Sequence, residues 1–332
     1  MTTRMIRRLV RIACPALLLC WLAACSPHWQ EIGAPVDQPR FTDKAFHTAD
    51  GADLPMTVWK PWDRPVEASI IGLHGFNDWK RAFDAPGKAM ARRGFILYAF
   101  DQRGFGGSPQ RGLWSSTEQM VTDLATAAKL AKAAQPDKPV YLLGESMGAA
   151  VMLAAVTRHV EMPVDGIILA APAIWGWQTQ PAINRWIMDL AMDVIPGVAV
   201  TPNGVYREAS NNHYLLRQMW RDPNVIKATR VDTAFGLVEL MTEAYDSAAK
   251  LGPTPRWLIM FGGREDILTK GSVAGFLEKL PKLDPIQGRI AFYPKAHHMM
   301  LRDLGAQTIY DDIAAWIRDP AARLPSGAEL QR

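Results

Sequence analysis

The segment Gly144-Glu145-Ser146-Met147-Gly148 places a serine between two glycines. An apolar run precedes it and an alanine-rich run follows, which predicts a strand, a tight turn and a helix. A serine in a strained turn needs glycine two residues away on each side, because larger side chains would collide there. The spacing alone is weak, and Ser146 could be a small residue at a turn. Its context favours a nucleophile, with the helix N-terminus stabilising negative charge beside it.

A serine hydroxyl needs a base to remove its proton before it can attack a carbonyl carbon. Asp266 follows the apolar run Arg256–Phe261, and His297 and His298 follow the next apolar run. The order serine, acid, histidine differs from that of chymotrypsin-like and subtilisin-like enzymes. We therefore expect one of the two histidines to act as the base and Asp266 to act as its acidic partner.

Short apolar runs alternate with longer amphipathic stretches through most of the chain. This alternation predicts βαβ units and a mostly parallel sheet with helices on both faces. A stretch rich in tryptophan and methionine interrupts this alternation, which is typical of an inserted helical cap. The predicted organisation is a signal peptide at 1–24, a tether at 25–40, a core at 41–172 and 246–332, and a cap at 173–245.

Within the predicted cap, residues 181–197 have apolar side chains at helical spacing, bounded by Pro181 and Pro196-Gly197. That face could pack on the core, line an acyl pocket or contact lipid. The polar side has one arginine and two aspartates, not the basic surplus of a helix that binds membrane surfaces strongly. This favours pocket lining over membrane insertion.

Five segments in order resemble the monoacylglycerol lipase and lysophospholipase branch of the α/β-hydrolases, often described as serine aminopeptidase S33-like. They are LHGFNDW, FDQRGFGGS, GESMG, GGREDILT and YPKAHHMMLRDL. The resemblance extends from about Phe41 to Arg318. It implies the α/β-hydrolase fold, a mostly parallel central sheet with helices on both faces and an inserted helical cap.

The same resemblance implies individual roles. Ser146 would attack an ester carbonyl, and His298 would move the proton to the leaving alcohol, with His297 at a position where the family often has tyrosine. Asp266 would orient the imidazole, and Glu265 is the alternative acid. No metal or other cofactor is expected, since the chain lacks an H-E-x-x-H motif.

The backbone N–H groups of Phe76 and Met147 would form the oxyanion hole in this family. The chain departs from the family pattern nearby. Glu145 stands where histidine is usual, Asn77-Asp78 replaces Gly-Glu, and Ala149 replaces a second glycine. None of these changes removes a catalytic group, but the sequence offers no role for Glu145.

The N-terminal segment resembles a bacterial lipoprotein signal. An apolar run of about thirteen residues ends in Leu22-Ala23-Ala24-Cys25. It is too short to span a bilayer and suits an export signal better than a buried helix. Cys25 would carry the lipid, and Ser26 favours the outer membrane of a two-membrane bacterium. The expected location is the periplasmic face of the bacterial cell envelope.

The formal net charge of +4 arises at the N-terminus, which has four arginines before its first acidic residue: Arg4, Arg7, Arg8 and Arg11. The remaining charges balance, so no nucleic-acid partner is expected. The predicted activity is hydrolysis of monoacylglycerol or lysophospholipid esters through an acyl-enzyme. The alternatives are an acyltransferase, a small-ester esterase and a catalytically silent envelope lipid-binding protein. Oligomeric state is not predicted.

Overall fold

The computed structural model describes residues 26–201 and 207–330. The predicted signal peptide and Cys25 lie outside the described residues.

The strands are short, as is usual for an α/β domain. They are β1 Arg40–Phe41, β2 Ala45–His47, β3 Asp53–Trp59, β4 Ala68–Leu73, β5 Phe95–Phe100, β6 Val140–Glu145, β7 Gly166–Ala170, β8 Ala199–Val200, β9 Thr229–Arg230, β10 Arg256–Gly262 and β11 Gly288–Tyr293.

The helices fall between these strands. They are α1 Asp84–Arg92, α2 Thr117–Ala134, α3 Met147–Thr157, α4 Ala182–Val194, α5 His213–Arg221, α6 Val231–Ser247, α7 Lys270–Lys279 and α8 Ala306–Arg318.

The central sheet has the strand order β1-β2-β3-β5-β4-β6-β7-β10-β11. The pairs from β5 to β11 are parallel, whereas β1, β2 and β3 join at one edge in antiparallel pairs. Parallel strands end at the same edge of a sheet, so the loops after β4, β6, β10 and β11 lie close together. The predicted fold class is confirmed.

Helices cover both faces of this sheet. On one face α2, α3 and α6 pack over the strands, and α1 and α8 cover the other. Every residue of β4, β5, β6 and β7 is buried, because a parallel sheet covered on both sides leaves no solvent-facing row. Helix α3 is buried from Met147 to Ala155, which explains why its sequence is apolar all round.

One helix crosses the predicted boundary of the cap at residue 245, because α6 ends at Ser247. Helix α6 begins in the cap segment, but its later residues Leu240, Met241 and Ala244 are buried in the core against α3. The last helix of the predicted cap is thus also a core helix.

Of the three interpretations of the apolar face of α4, packing on the core is contradicted by the structure. No residue of α4 is buried, and Trp186 and Ile187 are more than half exposed. The helix contacts α6 instead, and its half-buried apolar positions are Met188, Ala191 and Met192. No described helix has the length and hydropathy needed to cross a bilayer.

The segment predicted to be a tether is docked on the domain. The backbone N–H of Gln30 donates to the carbonyl of Trp114 at 2.9 Å, and its side chain donates to the carbonyl of Leu113 at 3.1 Å. The N–H of His28 donates to a carboxylate oxygen of Asp232 at 3.1 Å. The described N-terminus is therefore held beside the start of α6.

Candidate active site

Ser146 lies in the tight turn between β6 and α3. Its backbone is strained, with φ 55° and ψ −114°, and its N–H donates to the carbonyl of Ala170 at 2.9 Å. A Cβ at Gly148 would lie 2.1 Å from the carbonyl oxygen of Leu73, and one at Gly144 would lie 2.5 Å from the nitrogen of Ala149. Both glycines are therefore required sterically, as the strand-turn-helix pattern predicts.

His298 contacts the serine from the loop after β11. Its Nε2 lies 2.9 Å from the Ser146 Oγ, and its Nδ1 lies 2.8 Å from Oε2 of Glu265. A carboxylate can only accept a hydrogen bond, so Nδ1 carries the proton and Nε2 is free to accept the serine proton. The side chains thus form a serine-imidazole-carboxylate relay with the geometry that nucleophilic catalysis needs.

The carboxylate of the relay belongs to Glu265. Its second oxygen, Oε1, accepts the backbone N–H groups of Ile267 at 2.7 Å and Leu268 at 2.9 Å. Burial by itself would raise the pKa of this carboxyl. The hydrogen bond with His298 and the two N–H donors outweigh burial and hold the pKa below its usual range. Glu265 is therefore an anion where it faces the imidazole.

The prediction of Asp266 as the partner of His298 is contradicted. The carboxylate of Asp266 turns to the surface, where it accepts from Arg207 Nη1 at 3.2 Å and from the N–H of Glu208 at 3.0 Å. The loop folds around the Glu265 carboxylate, which directs the next side chain away from the imidazole. Sequence spacing could not separate two adjacent acids that differ by one methylene.

His297 has a different environment from its neighbour. It is buried, and both its N–H and its Nδ1 contact Oδ2 of Asp303, at 2.7 Å and 3.1 Å. The other oxygen of Asp303 accepts from the Ser210 hydroxyl at 2.6 Å. This cluster joins the histidine loop to the cap, and the structure brings only His298 to Ser146.

The predicted oxyanion residues flank the serine. A Cβ at Gly75 would lie 3.4 Å from the Cβ of Ser146, so the loop that contains Phe76 passes close to the nucleophile. The Phe76 N–H donates no hydrogen bond to protein within the described part of the chain. Met147 is the first residue of α3, and its N–H has no intrahelical acceptor. Both donors are available to an oxyanion.

The buried side chain of His74 supports the loop that contains Phe76. The Nε2 of His74 accepts the N–H of Gln102 at 3.0 Å, so its Nδ1 carries the proton and donates to the Gly75 carbonyl at 2.8 Å. Burial lowers the pKa of His74 and keeps it neutral, as this pattern requires. The role is structural.

A buried ion cluster lies beside the relay and accounts for Glu145. The guanidinium of Arg302 donates to Glu145 Oε2 at 2.5 Å, and its Nη1 lies 2.7 Å from Asp78 Oδ2. Burial opposes the charged guanidinium, but the two carboxylates outweigh that effect and raise the pKa of Arg302. The cluster joins the tight turn at Ser146, here called the elbow, to the oxyanion loop and the histidine loop.

The unusual residues at 145 and 77–78 are therefore linked through one partner. The departures from the family pattern at these positions could have identified Asp78 and Glu145 as residues with a special role. Nothing in the local sequence pointed to Arg302, which is distant along the chain. The described residues contain no cluster of three or more His, Cys, Asp or Glu side chains placed to hold a metal ion.

Comparison with known proteins agrees with this architecture. A family model described as serine aminopeptidase, S33 matches residues 64–305. Monoglyceride lipase of Mus musculus is 30% identical over 288 residues, which cover 84% of this chain and 91% of the relative. Monoacylglycerol lipase of Mycolicibacterium smegmatis is 22% identical over 288 residues, which cover 83% of this chain and 96% of the relative.

A solved structure supports the fold. A soluble variant of monoglyceride lipase from Saccharomyces cerevisiae, in complex with a substrate analog, aligns with a TM-score of 0.69 at 18% identity. The alignment covers 90% of this chain and 100% of that one. With the family match over most of the chain, these findings show that this protein belongs to the serine aminopeptidase S33 family of α/β-hydrolases and is a carboxylic ester hydrolase.

Proposed function

We propose that the enzyme cleaves carboxylic esters of lipids, monoacylglycerols or lysophospholipids, through an acyl-enzyme on Ser146. The single observation that carries the mechanism is the hydrogen-bonded relay from Ser146 through His298 to Glu265. The lipid substrate class is supported by relatives named monoacylglycerol lipase and monoglyceride lipase. Glu265 replaces Asp266 in the proposed set.

The proposed reaction has two steps. His298 Nε2 takes the proton as the Ser146 oxygen attacks the ester carbonyl, and the N–H groups of Phe76 and Met147 stabilise the oxyanion. The imidazolium returns that proton to the departing alcohol, which leaves an acyl group on the serine. Water then attacks the acyl-enzyme with His298 as base, and the fatty acid departs as the serine regains its proton.

Glu265 stabilises the imidazolium in both steps. Its carboxylate remains charged because three hydrogen bonds compensate for its burial. It also fixes the imidazole tautomer, since only an Nδ1 proton can satisfy it.

The location belongs to the same proposal. The Leu22-Ala23-Ala24-Cys25 segment supports an exported protein with lipid on Cys25 in the bacterial cell envelope. Ser26 after the cysteine favours the periplasmic face of the outer membrane. Metabolic labelling with a palmitate analogue should give lipid incorporation in the full chain. Incorporation that persists unchanged in Cys25→Ser would contradict this assignment.

A fluorophosphonate probe tests the nucleophile. Folded full-length protein should react with the probe, and Ser146→Ala should abolish the reaction. Labelling that survives in Ser146→Ala would refute the acyl-enzyme mechanism.

A substrate panel then tests the lipid class. Fatty-acid release should be measured from monoacylglycerols, lysophospholipids and short p-nitrophenyl esters, with and without acceptor alcohols. Preferential release from the long-chain lipids supports the proposal. Turnover of short esters alone, or transfer to alcohols in place of hydrolysis, would contradict it.

A further inference from the structure

Asp303 has a buried carboxylate that the proposed mechanism does not use. It lies in the histidine loop, and its side chain is 3% exposed. Burying a carboxylate costs free energy unless hydrogen bonds replace the lost water. Both of its oxygens accept such bonds, from His297, Ser210 and Asn211. These partners show what the side chain connects.

The two carboxylate oxygens of Asp303 contact different parts of the protein. Oδ2 accepts the backbone N–H of His297 at 2.7 Å and the Nδ1 proton of the same residue at 3.1 Å. Oδ1 accepts the hydroxyl of Ser210 at 2.6 Å and the backbone N–H of Asn211 at 3.1 Å. One oxygen therefore holds the histidine loop, and the other holds the segment 207–212 of the predicted cap.

The backbone on both sides of the base His298 is fixed by hydrogen bonds. On the N-terminal side, Asp303 accepts the backbone N–H of His297. On the C-terminal side, the backbone N–H of Met299 donates to the carbonyl of Ala209 at 2.8 Å. Ala209 belongs to the same segment of the cap that contacts Asp303. The base is thus anchored immediately before and immediately after its own position in the chain.

Burial strengthens the contacts on the histidine side of the segment 207–212. Ser210 is 0% exposed and His297 is 1% exposed, so water does not readily compete for these hydrogen bonds. The contact of the segment with the acid loop differs, because Asp266 and Arg207 pair at the surface. The buried contact is therefore the one on the loop that carries the catalytic base.

We propose that Asp303 is a positioning residue for the base and acts together with Ala209 and Ser210. The imidazole of His298 must keep its Nε2 near the serine, at 2.9 Å, and its Nδ1 near Glu265, at 2.8 Å. A displacement of about 1 Å can cost about 10²-fold in rate. The cap, in addition to the core, then supports the relay. This inference rests on the role of His298 as base in the proposed function.

Asp303→Asn tests the proposal in the full-length protein, because it removes one acceptor oxygen with little change of shape. The amide N–H₂ group must face either the donors of the histidine loop or those of the cap. The base should shift, and kcat on a p-nitrophenyl ester should fall by about 10- to 100-fold. KM should change little, as expected when only contacts of the transition state are weakened.

Two further variants support this comparison. Asp311→Asn is the matched control, because the carboxylate of Asp311 in α8 faces Arg93 at the surface, 2.6 Å away. It should leave kcat and KM unchanged. Ser210→Ala is milder than Asp303→Asn, since it deletes one hydrogen bond to the carboxylate and keeps the backbone N–H of Asn211. It should lower kcat several-fold, and it decides the question where Asp303→Asn does not fold.

The Nδ1 proton of His298 gives a readout that a loss of stability alone would not move. This proton, shared with Glu265, should give a low-field proton resonance in the folded protein, and His298→Ala assigns it by removing it. The resonance should shift or broaden in Asp303→Asn and remain as in the wild type in Asp311→Asn. Urea unfolding establishes that each variant is folded under the assay conditions.

Wild-type kcat in folded Asp303→Asn would overturn the inference, as would wild-type kcat in Ser210→Ala where the first variant does not fold. An unchanged His298 resonance, or a change confined to KM, would also overturn it. Failure of the wild-type protein to react with the fluorophosphonate probe would instead overturn the proposed function. The resonance does not depend on turnover, so the two failures are distinguishable.

Discussion

The identity of the acid beside His298 depends on a single loop. Glu265 and Asp266 are adjacent carboxylates after β10, and only the first reaches the imidazole. The longer side chain, that of Glu265, accepts hydrogen bonds from the backbone N–H groups of Ile267 and Leu268. The hydrogen bonds to the backbone, rather than the order of residues, select the partner.

Neutral isosteres separate the two acids. Glu265→Gln should lower kcat on the order of 10³- to 10⁴-fold, because the amide no longer stabilises the imidazolium or its tautomer. Asp266→Asn, the matched control, should leave kcat nearly unchanged, since its carboxylate faces Arg207 at the surface. Steady-state kinetics on a p-nitrophenyl ester measure both. A large loss in Asp266→Asn with activity retained in Glu265→Gln would restore the original assignment.

Arg302 is the residue that compensates for two buried acids. Glu145 and Asp78 are both buried, and burial raises the pKa of Glu145 in spite of the nearby guanidinium. Such clusters are costly to break because the remaining charges lose their partner in a poorly solvated site.

Removing this guanidinium should therefore destabilise the protein strongly. Arg302→Met should lower the free energy of unfolding by about 3–5 kcal/mol. Arg158→Met is the control, because Arg158 pairs with Glu243 at the surface, where such pairs contribute about 0–1 kcal/mol. Urea unfolding measures both variants. Similar losses of unfolding free energy in the two variants would contradict the prediction, because the buried cluster at Arg302 would then contribute no more than a surface ion pair.

At the scale of elements, the elbow depends on close approach between α3 and β4. Gly148 lies where the helix passes over Leu73, and no larger residue fits without moving one of them. The sequence pattern therefore reflects the distance between two elements as well as the strain at Ser146.

Adding one methyl group should disturb the elbow. Gly148→Ala places a Cβ 2.1 Å from the Leu73 carbonyl, so the serine should shift and kcat should fall by about 10²-fold or more. Gly271→Ala in α7 meets nothing within 4 Å and should keep full activity, with a small gain in stability from helix propensity. Kinetics and thermal melts distinguish the two. Full activity in Gly148→Ala would contradict the steric account.

At the scale of the whole molecule, buried ion clusters hold distant segments together. Arg103, in the loop between β5 and α2, pairs with Asp50 at 2.8 Å and with Asp123 of α2 at 2.6 Å. The cluster fastens the antiparallel edge of the sheet to a helix of the parallel part. Burial would raise the pKa of Asp50, but Arg103 and Thr48 outweigh it and lower the pKa to about 2.

This shift predicts a pH dependence of stability. The unfolded carboxyl has a pKa of about 3.9, so the stabilisation is complete above that pH and is lost as the pH falls through about 2. Urea unfolding should show a difference between wild type and Asp50→Asn that is constant near neutrality and shrinks below about pH 4. The exposed Asp43→Asn is the control, with little difference at any pH. A constant difference for Asp50→Asn down to pH 3 would contradict the assignment.

The sequence by itself determined the features that depend on local spacing. Apolar periodicity identified the parallel sheet, and the glycines around Ser146 identified the elbow, since steric exclusion acts between near neighbours. The resemblance pointed to His298, which the structure brings to the serine.

Only the tertiary structure decided what depends on direction and on distant contacts. The choice of Glu265 over Asp266 follows from loop hydrogen bonds, and the role of Glu145 follows from Arg302, which is 157 positions away along the chain. The exposure of α4 follows from which side contacts α6. Sequence patterns predict which residues can share a face of a helix or strand. Contacts between side chains that are distant along the chain depend on how the whole chain packs.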